Sequence, residues 1–78
     1  MSNQTGMTEI ATIEVRVNGE PRTVPAGTTV LGLVETLGLD PSRLAIELDL
    51  AILKKDLWSS TTLHDGASLE IVQFVGGG

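Results

Sequence analysis

No cysteine occurs in the 78 residues. That excludes disulfides, zinc–thiolate sites and side-chain thiol chemistry. With a single histidine it also argues against a transition-metal site. Aromatic residues are nearly absent: one Trp, one Phe and no Tyr. A core must therefore be aliphatic, drawn from a hydrophobic fraction of 41%. Basic residues are scarce, five against ten acidic ones, for a net charge of −5. Such a chain repels phosphate backbones and anionic headgroups, so neither nucleic acid nor a membrane is an expected partner. No apolar run approaches the roughly 20 residues that span a bilayer. The opening MSNQTGMTE lacks the basic-then-apolar order of a secretory signal. A cytoplasmic location is expected, and a monomer when free.

What is present reads as one small domain. Residues 1–9 are polar and are expected to be a disordered leader, 10–75 the folded domain, and 76–78 a flexible glycine tail. ATIEVRV alternates, with Ala11, Ile13, Val15 and Val17 on one face of a strand. Asn18-Gly19 supplies the two left-handed positions of a type I′ hairpin turn. EPRTV returns as a second strand, and Pro21, lacking an N–H, points to an edge. Thr28 is the expected N-cap of a helix whose apolar face is Val30, Leu31, Val34 and Leu37. Gly38 suits the left-handed position that closes it. Gly32 inside the helix either allows close approach to a sheet or has no special role.

RLAIELDLAILKK reads as two short strands or one bent strand, with Leu44, Ile46, Leu48, Leu50 and Ile52 on a single buried face. Trp58 is expected to plug one end of the core. Asp65-Gly66 is a tight turn. SLEIVQFV is the last strand, and its pattern leaves open whether Leu69, Ile71 and Gln73 or Glu70, Val72 and Phe74 face inward. A hairpin, one crossing helix and further strands make an α+β fold: a mixed sheet with one main helix packed across one face. The last strand is expected inside the sheet beside the first.

The order of elements, the start VNGEPRTVPAGTTVLGLVETLGL and the end LHDGASLEIVQFVGGG together resemble the ThiS family, the sulfur carriers of thiamine biosynthesis. The likeness covers roughly Ile13 to Gly78. It implies a β-grasp, or ubiquitin-like, fold. It also implies a protein cosubstrate and not an enzyme. In such a carrier the Gly78 carboxylate is adenylated and converted to a thiocarboxylate, whose sulfur goes to thiazole formation. The implied partners are a ThiF-like adenylating enzyme using ATP and Mg²⁺, a ThiG-like thiazole synthase, and a cysteine desulfurase or other sulfur donor. No cofactor or metal is implied on the chain itself. Two other readings share the tail: a molybdopterin-synthase small-subunit-like carrier, and a ubiquitin-like modifier conjugated through Gly78. Asp49-Leu50 stands where the family usually has an Asn-Gly-type turn, which implies a differently shaped turn there.

The resemblance gives the glycines a role. Gly76 and Gly77 would thread Gly78 into partner active sites, projecting its carboxylate roughly 10 Å beyond the strand. Glycine is thin and adopts backbone angles closed to other residues. Taken alone, three glycines after a strand also describe a frayed end. Val75 is a candidate partner contact, and Phe74 is divided between partner contact and core packing. His64 is expected to be a solvated turn residue without a catalytic role, and Lys54-Lys55 a solvated strand end.

Overall fold

The computed structural model describes residues 11–75. The leader expected at 1–9 and the tail expected at 76–78 lie outside the described residues. Five strands, β1 (Thr12–Val17), β2 (Glu20–Pro25), β3 (Leu44–Leu48), β4 (Ala51–Leu53) and β5 (Ser68–Gln73), surround one helix in sequence, α1 (Val30–Thr36). The sheet order is β2-β1-β5-β3-β4. β5 runs parallel to β1, and every other neighbouring pair is antiparallel. This is the expected mixed sheet, with the last strand inserted beside the first.

Local chemistry accounts for the first hairpin. Asn18 and Gly19 take φ of 52° and 86°, the left-handed pair that matches strand twist. The Ala26 N–H donates to the Ala11 carbonyl, so hydrogen-bonded pairs fall on odd positions of β1. Pro21 pairs with Arg16, an even position. Its missing N–H therefore faces outward from an edge strand, where no partner is needed.

The helix begins one residue later than its sequence suggests. Thr29, not Thr28, is the N-cap, and its Oγ1 accepts from the Gly32 N–H at 3.0 Å. A cap of this kind contributes about 1 kcal/mol. The Thr28 hydroxyl instead donates to the Pro25 carbonyl at 2.6 Å, closing the turn out of β2. Gly32 does not approach the sheet. A Cβ there would meet the Thr29 Oγ1 at 3.3 Å, so the glycine leaves room for the cap. At the other end Gly38 takes φ 73° as expected. Its N–H donates to Glu35 O, and the Leu39 N–H donates to Val34 O, the paired bonds of a Schellman closure.

The inward face of α1 is Val30, Leu33 and Val34, all fully buried, while Leu31 and Leu37 are half-buried. Leu33, absent from the expected stripe, sits at its centre, because the face is set by the sheet and by the later start. These side chains pack on Val15, Val17, Leu44, Ile46 and Leu69. Trp58 closes one end as expected, 2% exposed, with its Nε1–H donating to the Leu53 carbonyl at 3.0 Å.

The second hairpin overturns one expectation. β3 and β4 pair as Leu48↔Ala51, Glu47↔Ile52 and Ile46↔Leu53. Opposed residues share a face, and a two-residue loop pairs even positions with odd ones. Leu53 therefore joins Ile46 inward, and Ile52 joins Glu47 outward. Leu50 and Ile52, expected in the core, are 89% and 79% exposed. The turn is also not a new shape. Asp49 and Leu50 take φ of 50° and 74°, the pair that Asn-Gly adopts. Leucine there costs about 1–2 kcal/mol.

Candidate functional site

The site is built where β5 leaves the sheet. β3 holds β5 in the register Leu44↔Gln73, Ala45↔Val72, Ile46↔Ile71, Glu47↔Glu70, Leu48↔Leu69. Leu69 and Ile71 lie on the core side with Ile46; Glu70 and Val72 lie on the far side. That settles the open choice of faces. Pairing persists past the strand, since the Phe74 N–H donates to the Arg43 carbonyl at 2.7 Å. Phe74 is nevertheless 55% exposed and Val75 85%. Core packing is therefore not the role of Phe74. Both side chains stand in solvent at the last described positions, directly before Gly76, Gly77 and Gly78, which lie outside the described residues.

On its other side β5 is covered by β1 only as far as Asn18. The Asn18 N–H donates to Leu69 O at 2.8 Å. Its side chain then brackets Ile71: Oδ1 accepts from the Ile71 N–H at 2.7 Å, and Nδ2 donates to the Ile71 carbonyl at 3.2 Å. A side-chain amide thus stands in for one more strand residue. Backbone groups alternate in direction along a strand, and those of Phe74 turn toward β3. Those of Gln73 therefore turn toward the β1 side, where β1 has already reversed at Asn18. Among the described residues no strand lies beside them. The sequence marks Asn18 for its turn, but nothing local signals a partner 53 positions away.

A second cluster pins the β3–β4 turn. The Asp49 Oδ1 accepts from the Ser68 N–H at 2.9 Å. The Asp49 Oδ2 lies 2.7 Å from His64 Nε2, while His64 Nδ1 lies 2.9 Å from the Asp65 carbonyl. A carbonyl and a carboxylate are both acceptors, so both contacts are hydrogen bonds at once only when the ring is protonated. His64 is thus not a merely solvated turn residue, although its side chain is 60% exposed. The Asp49 hydrogen bond first, then that to Asp65, raises its pKa above 6.5. The His64 hydrogen bond first, then that from Ser68, lowers the Asp49 pKa below 3.8. Linkage fixes the sign. The His64 contribution is complete below pH 6.5 and is lost as pH rises through its raised pKa. The Asp49 contribution is complete above pH 3.8 and is lost as pH falls through its lowered one. Between 3.8 and 6.5 both act. In an NMR titration the His64 midpoint is expected above 6.5 and should return toward it in Asp49→Asn; an unshifted wild-type midpoint would remove the ion pair.

Lys55 carries its Nζ 5.6 Å over the Trp58 ring, a lid on the core end more than a free cation. Among the described residues no group of three His, Asp or Glu side chains is placed to hold a metal ion. No helix there is long and apolar enough to cross a membrane.

Comparison with known proteins matches residues 15–78 to the sequence model of the ThiS family. A thiazole synthase of Paramagnetospirillum magneticum is 42% identical over 62 residues, covering 80% of this chain and 19% of that protein. A thiazole synthase of Magnetococcus marinus is 35% identical over 66 residues, covering 85% and 20%. The chain spans about a fifth of the length of these curated relatives. The crystal structure of the thiamine biosynthesis protein ThiS from Geobacter metallireducens superposes with a TM-score of 0.73 at 30% identity, covering 85% of this chain and all of that one.

Proposed function

This chain belongs to the ThiS family, and on that premise we propose that it is a sulfur carrier of thiamine biosynthesis whose reacting group is the carboxylate of Gly78. A carboxylate resists attack because its charge is spread over two oxygens. A ThiF-like partner, with ATP and Mg²⁺, would convert it to an acyl adenylate and release pyrophosphate. The persulfide of a cysteine desulfurase or another donor would then displace AMP to give an acyl disulfide, and a thiol would cleave that bond, leaving the thiocarboxylate and carrying the other sulfur away as a disulfide. A ThiG-like thiazole synthase would take up that sulfur. The chain supplies the substrate carbonyl in each step and none of the catalytic groups.

The observation that carries this reading is the manner in which β5 ends. Its backbone is clamped through Phe74 by the bond to Arg43, and the next side chain, Val75, is 85% exposed. Phe74 and Val75, exposed at the end of a central strand, would then be contacts at the rim of a partner channel that the glycines enter. The backbone groups of Gln73, facing no strand among the described residues, would be available to a strand of the partner.

The test is intact mass after incubation with a ThiF-like enzyme, ATP, Mg²⁺ and a desulfurase system. Exchange of one oxygen for one sulfur is expected, and none on a chain lacking Gly78. No exchange on the full chain, with a partner proven on another carrier, defeats the proposal. Conjugation to lysines of other proteins would instead indicate a modifier.

A further inference from the structure

Asn18 does more at the end of β1 than its turn requires. A type I′ turn asks only that the residue tolerate a positive φ, here 52°, and glycine meets that demand as readily as asparagine. The side chain could lie free in solvent without weakening the turn. Both of its polar atoms are instead engaged with one residue 53 positions away: Oδ1 accepts from the Ile71 N–H, and Nδ2 donates to the Ile71 carbonyl. The turn has a fastening of its own, since the Arg16 Nη1 donates to the Gly19 carbonyl at 3.1 Å.

The contact falls at the last point where β1 can hold β5. The register between them is Arg16↔Ser68 and Val17↔Leu69. The last main-chain bond of that ladder runs from the Asn18 N–H to Leu69 O. A parallel ladder would continue from the Ile71 N–H to the main-chain carbonyl of Asn18. The side-chain Oδ1 takes that place. Without the amide, Ile71 and Gln73 would both lack a partner on the β1 side among the described residues. β3 alone would then hold the end of β5, through the Leu44↔Gln73 pairing and the bond from Phe74 to Arg43. Ile71 is also the last residue of β5 that packs against the core.

We propose that Asn18 is a positioning residue for the reactions of the Gly78 carboxylate, an inference that rests on the sulfur-carrier reading. Its amide keeps Ile71 to Phe74 extended in the sheet of the free chain, so the adenylating partner receives a strand that is already ordered. An unfastened strand end would have to be ordered at every encounter, and that entropy loss weakens binding. Once Gly78 is seated, its carbonyl is the same in either case. The loss therefore falls on KM and not on kcat.

The test is the initial rate of thiocarboxylate formation, read by intact mass over a range of carrier concentrations, for wild type, Asn18→Gly and Thr29→Ala. Asn18→Gly keeps the turn and removes the amide. Thr29→Ala removes the helix cap, a hydrogen bond outside β5, and controls for a general loss of stability. Asn18→Gly is expected to raise KM about ten-fold, the scale of ordering one or two residues, with kcat unchanged. Thr29→Ala is expected to change neither. Amide hydrogen exchange on the free chains is the second readout. The Phe74 N–H bonds to Arg43 and not to Asn18. It should exchange about ten-fold faster in Asn18→Gly and at the wild-type rate in Thr29→Ala. An unchanged KM, a loss confined to kcat, equal losses in the two variants, or unchanged exchange at Phe74 would each overturn the inference. A wild-type chain that forms no thiocarboxylate defeats the carrier reading, and with it the kinetic role of Asn18, whatever the exchange rates show.

Discussion

Gly77→Val is expected to slow thiocarboxylate formation about a hundred-fold, the scale of a misplaced reacting group, while leaving the melting temperature unchanged. Valine is stiff at χ1 and closes the positive-φ conformations that glycine adopts freely. It would also set two methyl groups beside the carbonyl that ATP and then sulfur must reach. The described core stops short of that position. The core cluster, with the side chains packed against it, ends at Ile71 on β5. Initial rates by intact mass, alongside thermal melts of the same samples, separate the two effects. An undiminished rate would mean the glycines are not threaded into a channel. A lowered melting temperature would mean the tail is part of the packed domain.

Trp58→Ala should have the largest effect on stability, about 3–5 kcal/mol. The ring is the bulkiest buried side chain, and its removal leaves a void and takes one donor from the Leu53 carbonyl. A chain of 78 residues has a total stability of roughly 4–12 kcal/mol. The variant is therefore expected to lose a large share of its stability and to melt at a markedly lower temperature, read by thermal melts and amide dispersion. Trp58→Phe keeps most of the apolar contact and loses the indole hydrogen bond, so it should cost about 1–3 kcal/mol. A mild effect of the alanine variant would show that this end of the domain collapses around the void.

The two experiments bracket the molecule: the first substitution is expected to alter the chemistry and leave the fold, the second to alter the fold. Most of what distinguishes them was legible along the chain. Alternation in β1 and the Asn18-Gly19 turn follow from the backbone preferences of a few adjacent residues. Gly38 follows in the same way, because left-handed closure of a helix asks for glycine whatever the helix packs against. The aliphatic core follows from the near absence of aromatics, and Trp58 from being one of two available. The glycine tail and its upstream pattern were enough to draw the likeness to the ThiS family.

Other features needed partners that are distant in sequence. Alternation through Leu48, Leu50 and Ile52 is unbroken in the chain, yet the two-residue turn reverses its parity, and only the pairing Glu47↔Ile52 shows it. The face of β5 was undecided until β3 was laid beside it, because both of its alternating sets contain apolar side chains. The cap fell to Thr29 and not Thr28 because the Thr28 hydroxyl is taken by Pro25. Asn18 reaches across 53 positions to Ile71, and His64 across 15 to Asp49. Sequence by itself determined what each short segment prefers, since those preferences come from φ, ψ and side-chain periodicity within a few residues. Tertiary structure alone decided which faces turn inward, which polar groups meet and where the uncovered surface lies, since these depend on register between strands far apart in the chain.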